Sequence, residues 1–343
     1  MRYLGITKLK KGMVLGQDIY GGQGQMLFSQ GTALEHEDIQ KLQKLGCPGI
    51  YLEDPLGKGV ASPLAISQGL RRRSLEMAYG LFQDSRLPDI RQEDIQGLAE
   101  DLVRELTAHK DPIYNMRDIK IYDDYTYFHS LNVAVLSVIL GIPYGLGQEE
   151  LAELALAGLL HDIGKRYVEA EVLNAKRMLT DEERVLIVQH PKLGYEFLQK
   201  HYGFPQEVCH NVLEHHEWYN GCGYPLRKSG SEIPLYARIV KMADVYDAMT
   251  SKLPYHDPLE PAVAAEYIIE NAGAEFDPEL VGIFQRRVAL YPTGSEVLLS
   301  DGRQAIVMEN FEGAMQLPRV KVLPSGDLLD LKSEKAGGLV VLE

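Results

Sequence analysis

The spacing of hydrophobic positions changes twice along the chain. Up to about residue 53, short apolar runs such as Met13-Val14-Leu15 and Gln25-Met26-Leu27-Phe28 alternate with turns at Gly21-Gly22 and Gly24, which predicts short strands. Ile39, Leu42 and Leu45 recur at helical spacing over Glu37–Leu45, Gly46 supplies a stop, and Ile50-Tyr51-Leu52 reads as a strand. Residues 1–53 are therefore expected to form a small α+β module, followed by a linker over 54–63. Residues 64–110 read as a helical connecting segment, interrupted near Leu87-Pro88-Asp89. Within it Ile95, Leu98, Leu102 and Leu106 share one face.

A dense helical pattern fills the next stretch and defines an all-α domain over 111–290. Ala152 to Leu160 is almost wholly apolar and predicts a central helix. Past Tyr291-Pro292-Thr293-Gly294 the period shortens. Glu296–Leu299, Arg303–Met308, Pro318–Leu323 and Gly338–Leu342 read as strands, separated by Asp301-Gly302 and Ser325-Gly326-Asp327. That predicts a small, barrel-like β module over 291–343, and a multidomain chain overall.

Composition narrows the function. With 343 residues, 45% hydrophobic and 24% charged, the chain reads as ordinary globular protein. A formal net charge of -14 argues against bulk nucleic acid as a partner. An anionic substrate would need a local positive centre, which bound dications supply. Cys47, Cys209 and Cys222 fit no zinc-knuckle spacing and suit a reducing cytoplasm. Cys222 reads as a small filler. The first residues lack a secretory apolar run. The apolar stretch Leu131–Leu146, broken at Gly141 and Pro143, is expected to be a buried helix rather than a membrane span. The basic run Arg71-Arg72-Arg73 reads as a solvated helix face.

Against this background one set of residues carries chemistry. His129, the pair His161-Asp162, His190, the pair His215-His216 and Asp244 take up five of the ten histidines in the chain. Imidazoles with carboxylates bind first-row transition metals, and seven ligands exceed the needs of one tetrahedral ion. Asp162 is the natural bridge between two ions. Gly164 permits close backbone approach, and Lys165 would point a cation at a phosphate. Asp247 lies three residues after Asp244, on the same side of a helix. His36, His109, His201, His210 and His256 match no such pattern and are expected at surfaces or helix ends.

The ordered motifs His161-Asp162-Ile163-Gly164-Lys165, His190-Pro191 with Gly194, His215-His216-Glu217 leading to Gly223-Tyr224-Pro225, and Ala243-Asp244 with Asp247-Ala248 resemble the HD-GYP family of HD phosphohydrolases. The resemblance implies an all-helical HD-type domain and hydrolysis of cyclic di-GMP to pGpG, GMP or both. The reagent would be a hydroxide activated by two ions, with iron or manganese favoured. It further implies that His129, His161, Asp162 and Asp244 hold one ion, and that Asp162, His190, His215 and His216 hold the other. Lys165, Gly221, Gly223, Tyr224, Pro225 and Lys252 would contact substrate. The Gly223-Tyr224-Pro225 loop could equally be a rigid turn or a surface that docks a protein partner. The terminal modules would regulate the protein or make it a homodimer.

The chain departs from the family pattern in three places. Tyr125 stands where three-metal members carry Glu, so two ions are expected. Asn220-Gly221 replaces the usual Asp-Gly, a mild change for a turn. In Ser251-Lys252-Leu253-Pro254-Tyr255-His256, leucine replaces an arginine that contacts substrate phosphate. Leu253 and His256 keep two rival readings open: a cyclic di-GMP receptor with little or no turnover, or an HD-type hydrolase of another nucleotide.

Overall fold

The computed structural model describes residues 1–60, 65–82, 90–108, 112–114, 125–173, 175, 177–252 and 257–342. The expected break near Leu87-Pro88-Asp89, the end of the linker, His109, Leu253 and His256 lie outside the described residues. The body is a mostly helical core with small sheets at both ends.

The first sheet pairs β1 (Arg2–Gly5) with β4 (Gly49–Leu52) antiparallel, Tyr3 opposite Tyr51. A second pairs β2 (Ile19–Tyr20) with β3 (Met26–Phe28). Met13-Val14-Leu15 is not a strand: Val14 and Leu15 make isolated bridges to Ala33 and Leu52. Helix α1 (His36–Lys44) begins one residue before its predicted start, where the Asp38 carboxylate accepts the Glu35 N–H. His36 is exposed at its first turn.

Helices α2 (Gln68–Phe82) and α3 (Gln92–Thr107) pack on the next two, α4 (Tyr125–Tyr144) and α5 (Gln148–Leu160). Arg71 corrects the reading of the basic run. It is buried, with its guanidinium 5.6 Å from the Phe128 ring centroid. Arg72 and Arg73 do face solvent and pair with Glu76 and Asp101.

The apolar stretch becomes α4, which runs through Gly141 and Pro143 and stops before Gly145, whose φ is +99°. A Cβ on Gly141 would meet Leu154 and Leu151 at 2.7 and 2.9 Å, so this glycine marks a helix contact rather than a break. Thr126–Tyr144 is long and apolar enough to cross a membrane, but 78% of its most apolar window is buried in the fold. Helices α4 and α5 also approach closely at Gly158, where a Cβ would lie 2.7 Å from Ala134 Cα.

The chain continues through α6 (Ala170–Leu173), α7 (Asp181–Val188), α8 (His190–His201), α9 (Gln206–Glu214), α10 (Leu235–Met249), α11 (Pro261–Glu270) and α12 (Pro278–Arg287). Local chemistry sets several boundaries. Thr180 Oγ1 accepts the Glu183 N–H at the start of α7 while Glu183 returns to the Thr180 N–H, a capping box. Pro191, Pro261 and Pro278 stand in first turns, where a missing N–H costs nothing.

The last sheet is an antiparallel meander in the order β5 (Glu296–Leu298), β6 (Gln304–Glu309), β7 (Arg319–Val322), β8 (Leu328–Asp330). Among the described residues it is open, not a barrel. Its fourth strand is Leu328–Asp330; the predicted strand Gly338–Leu342 supplies only the bridge Leu299–Val341. The sheet has a small core of its own, built from Val297, Leu299, Ala305, Val307, Val320 and Val322. The N-terminal sheets and the helices share one continuous core.

Candidate metal centre

Three helix ends and two helix interiors bring the seven predicted ligands together. His129 lies one turn into α4, and His161-Asp162 ends α5. His190 opens α8, His215-His216 ends α9, and Asp244 stands within α10. His129, His161, Asp162, His190 and His215 are at most 1% exposed.

The imidazoles are aimed by a shared device. The last carbonyls of a helix have no intrahelical partner. At three such places a histidine three residues on donates Nδ1–H to the carbonyl: His161 to Gly158 at 2.8 Å, His190 to Ile187 at 2.7 Å, His215 to Val212 at 3.0 Å. A carbonyl only accepts, so each Nδ1 carries the proton and each Nε2 presents its lone pair to the centre. His129 is held differently. Its Nδ1 lies 2.8 Å from Asp247 Oδ2, and Asn132 Nδ2 donates to Asp247 Oδ1 at 3.0 Å.

Asp162 stands between the imidazoles with one oxygen for each side. Oδ2 lies 3.4 Å from His161 Nε2 and 3.8 Å from His129 Nε2. Oδ1 lies 3.1 Å from His190 Nε2 and 4.0 Å from His215 Nε2. Asp244 Oδ1 closes the first side, 3.0 Å from His129 Nε2 and 3.9 Å from His161 Nε2. His216 joins His190 and His215 on the second, their ligand atoms within 4.8 Å of one another.

Close approach depends on two glycines. A Cβ on Gly164 would fall 1.9 Å from the His190 carbonyl oxygen and 2.6 Å from Gly194 N. A Cβ on Gly194 would meet Val212 Cγ1 at 2.8 Å. Without side chains at these places, the turn after Asp162 lies directly on α8, and His190 reaches Asp162.

The donor set fits metal. His161 Nε2 is buried with no hydrogen-bond partner among the described residues. His190 Nε2 and His215 Nε2 lie 3.2 Å apart while both Nδ1 atoms are turned to backbone carbonyls, an arrangement that a cation shared by the two Nε2 atoms would satisfy. Burial and neighbouring imidazoles hold His215 and His216 well below the usual imidazole value, which keeps them neutral and able to ligate. Burial opposes ionisation of Asp162, yet Lys165 and His161 hold its carboxyl well below the carboxylate range. Burial likewise pulls His129 down, but Asp244 and Asp247 outweigh it and raise it to about 9. The first side thus attracts positive charge.

The remaining predicted residues fall around this centre. The Lys165 ammonium, partly exposed, contacts Asp162 Oδ2. The Tyr224 ring stacks on His216 with centroids 4.8 Å apart and 18° between planes. Gly221, at φ +83°, turns the loop, Gly223 packs on the backbone of Glu217 and Trp218, and Pro225 is exposed. Lys252 is half-buried just beyond α10. Cys222 is exposed rather than a filler, its N–H held by Asn220 Oδ1 at 2.9 Å. His201 and His210 stand away from the cluster, packed on Phe197 and Tyr195. Asp247 was legible only as a spacing. Its bond to His129 needs the crossing of α10 over α4.

The helical core carries a buried His/Asp cluster whose donors could hold metal ions. Residues 120–280, just under half of the chain, match the HD-domain family model. It is 36% identical over 254 residues to a cyclic di-GMP phosphodiesterase of Pseudomonas aeruginosa, covering 73% of this chain and 60% of that protein. It is 37% identical over 141 residues to a 3'3'-cGAMP-specific phosphodiesterase of Vibrio cholerae, covering 41% of this chain and 32% of that one. Among solved structures, an HDG"Y"P protein of Bdellovibrio bacteriovorus matches 82% of this chain and 97% of its own, with TM-score 0.50 and 16% sequence identity, a likeness of fold.

Proposed function

We propose that the chain is a metal-dependent phosphodiesterase that hydrolyses cyclic di-GMP to pGpG, GMP or both. The observation that carries this reading is Asp162, with one carboxylate oxygen turned to each pair of imidazoles. His129, His161, Asp244 and Asp162 Oδ2 would hold one divalent ion, and His190, His215, His216 and Asp162 Oδ1 a second. Imidazole and carboxylate donors suit iron or manganese. When bound, such a pair lowers the pKa of water and draws charge from phosphoryl oxygens. Lys165 adds a cation beside the cluster, and Tyr224 roofs its second side. The outward face of the loop, with Pro225 and Leu226 exposed, suits a protein partner.

Cyclic di-GMP is favoured over other cyclic dinucleotides because the longer match is to a relative of that name. The match to a 3'3'-cGAMP-specific relative makes that nucleotide the second candidate. The test is anaerobic purification, elemental analysis, and turnover of both nucleotides by metal-loaded protein. About two ions per chain and faster hydrolysis of cyclic di-GMP are expected. Tight binding without turnover would replace the hydrolase by a receptor, and a preference for 3'3'-cGAMP would reassign the substrate.

Asp247 gives a separate prediction. A carboxylate that orients a ligating histidine is worth about 10–100-fold in metal affinity or activity. Asp247→Ala is expected to lose metal to a chelator at concentrations lower by about that factor. Retention equal to the parent would remove Asp247 from this role.

A further inference from the structure

Glu217 is 2% exposed and follows directly on His216, yet it has no part in the ligand set. Its Oε1 accepts two backbone N–H groups from the far arm of the loop, Leu226 at 2.6 Å and Arg227 at 3.0 Å. Arg227 is the one described non-glycine residue in the left-handed region, at φ +57°. Such a conformation persists only where its surroundings hold it. The loop tip is folded onto the same place, since a Cβ on Gly223 would lie 2.2 Å from Trp218 N and 2.5 Å from Glu217 Cα. Tyr224 N–H donates to the His216 carbonyl at 3.2 Å, which leaves its ring stacked on the His216 imidazole. Lys228 ties the end of the loop to buried Glu214 at 2.7 Å.

We infer that Glu217 is a positioning residue: its carboxylate latches the return arm of the loop over 220–229 and so fixes Tyr224 as the roof over His216. The effect on substrate rests on the phosphodiesterase reading above; the latch itself does not. Without the carboxylate, two N–H groups lose their acceptor, Arg227 relaxes out of the left-handed region, and the loop lifts. His161, His190 and His215 keep their own tethers on α5, α7 and α9, and His129 keeps Asp247, so metal content stays.

The chain carries its own reporter. Trp218 is the sole tryptophan of the protein, half-buried at the base of this loop. The experiment compares Glu217→Ala with Glu217→Gln, which keeps an acceptor oxygen. In Glu217→Ala, quenching of Trp218 by acrylamide is expected to rise about twofold. KM for the cyclic dinucleotide should rise roughly tenfold, the scale of one lost hydrogen bond to a charged group, with kcat less affected. Metal content should match the parent, and Glu217→Gln should recover most of the loss. Unchanged quenching, or a loss of metal in step with activity, overturns the latch. Should Glu217→Ala not fold, hydrogen exchange on the parent decides: slow exchange at Leu226 and Arg227 supports the latch, and fast exchange there refutes it. A parent that hydrolyses no cyclic dinucleotide would refute the phosphodiesterase reading alone, because quenching and exchange need no substrate.

Discussion

Asp162→Ala is expected to lower bound metal from about two ions per chain to one or none, and to reduce phosphodiester turnover by more than about 100-fold. The magnitude follows from its position. Each of its oxygens faces a different imidazole group, so one substitution takes an anionic donor from both sides at once. It also leaves Lys165 beside the imidazole cluster with its carboxylate partner gone, and a like-charged dication would meet that ammonium. Asp162→Asn separates charge from shape, since it keeps the volume and one acceptor oxygen but removes the anion. It should fall close to Asp162→Ala in metal content. Elemental analysis after anaerobic purification checks both variants, with circular dichroism to establish the fold. Full occupancy of two ions in either variant would show that the ions do not share this carboxylate.

Gly164→Ala carries the second large effect, on stability. The new methyl group would sit 1.9 Å from the His190 carbonyl oxygen, 2.6 Å from Gly194 N and 2.8 Å from the His190 carbonyl carbon. All three are backbone atoms, so no side-chain rotation relieves the clash. The turn after Asp162 and α8 must separate. Overpacking of this kind costs up to about 3 kcal/mol or more. At the usual unfolding entropy per residue, each kcal/mol moves the Tm of a 343-residue chain by about 1.4 °C, so a fall of about 4 °C or more is expected by calorimetry. The separation also draws His190 away from Asp162 Oδ1, now 3.1 Å distant, and the second ion should be lost first. Gly203→Ala is a suitable control, because its nearest neighbour would be a flexible Gln92 side-chain atom at 3.5 Å. A Tm within about 1 °C of the parent for Gly164→Ala would mean that the two segments separate freely.

The cluster was legible because four of its seven residues come as adjacent pairs at helix ends, a pattern that survives without knowledge of packing. The helical character of the core was legible from periodicity for the same reason. The tethers were not. Whether His161 can donate to Gly158 depends on the helix ending at that turn, and whether Asp247 meets His129 depends on two helices 118 residues apart in sequence. Short strands also escaped. Arg2–Gly5 has four residues and gains its meaning from Gly49–Leu52, and Leu328–Asp330 has three. Val340 and Val341 have the right side chains for a strand, yet only Val341 finds a bridge. Arg71 failed the sequence reading because a guanidinium can lie against a phenyl face, which no charge count reveals.

The first strand of the chain has a further dependence. Tyr3 N–H donates to the Gly294 carbonyl at 2.9 Å, and Arg2 pairs with Glu296 as well as with Asp54. At synthesis rates of about 5–20 residues per second, Gly294 follows Tyr3 out of the ribosome by roughly 15–60 seconds. During that interval β1 can pair with β4 on one side while its other edge waits. A waiting strand edge is a template for pairing with another chain. Ribosomal pausing, or premature termination before residue 294, would then produce aggregation of a segment more than a hundred residues upstream of the metal centre, while the centre's own residues are intact.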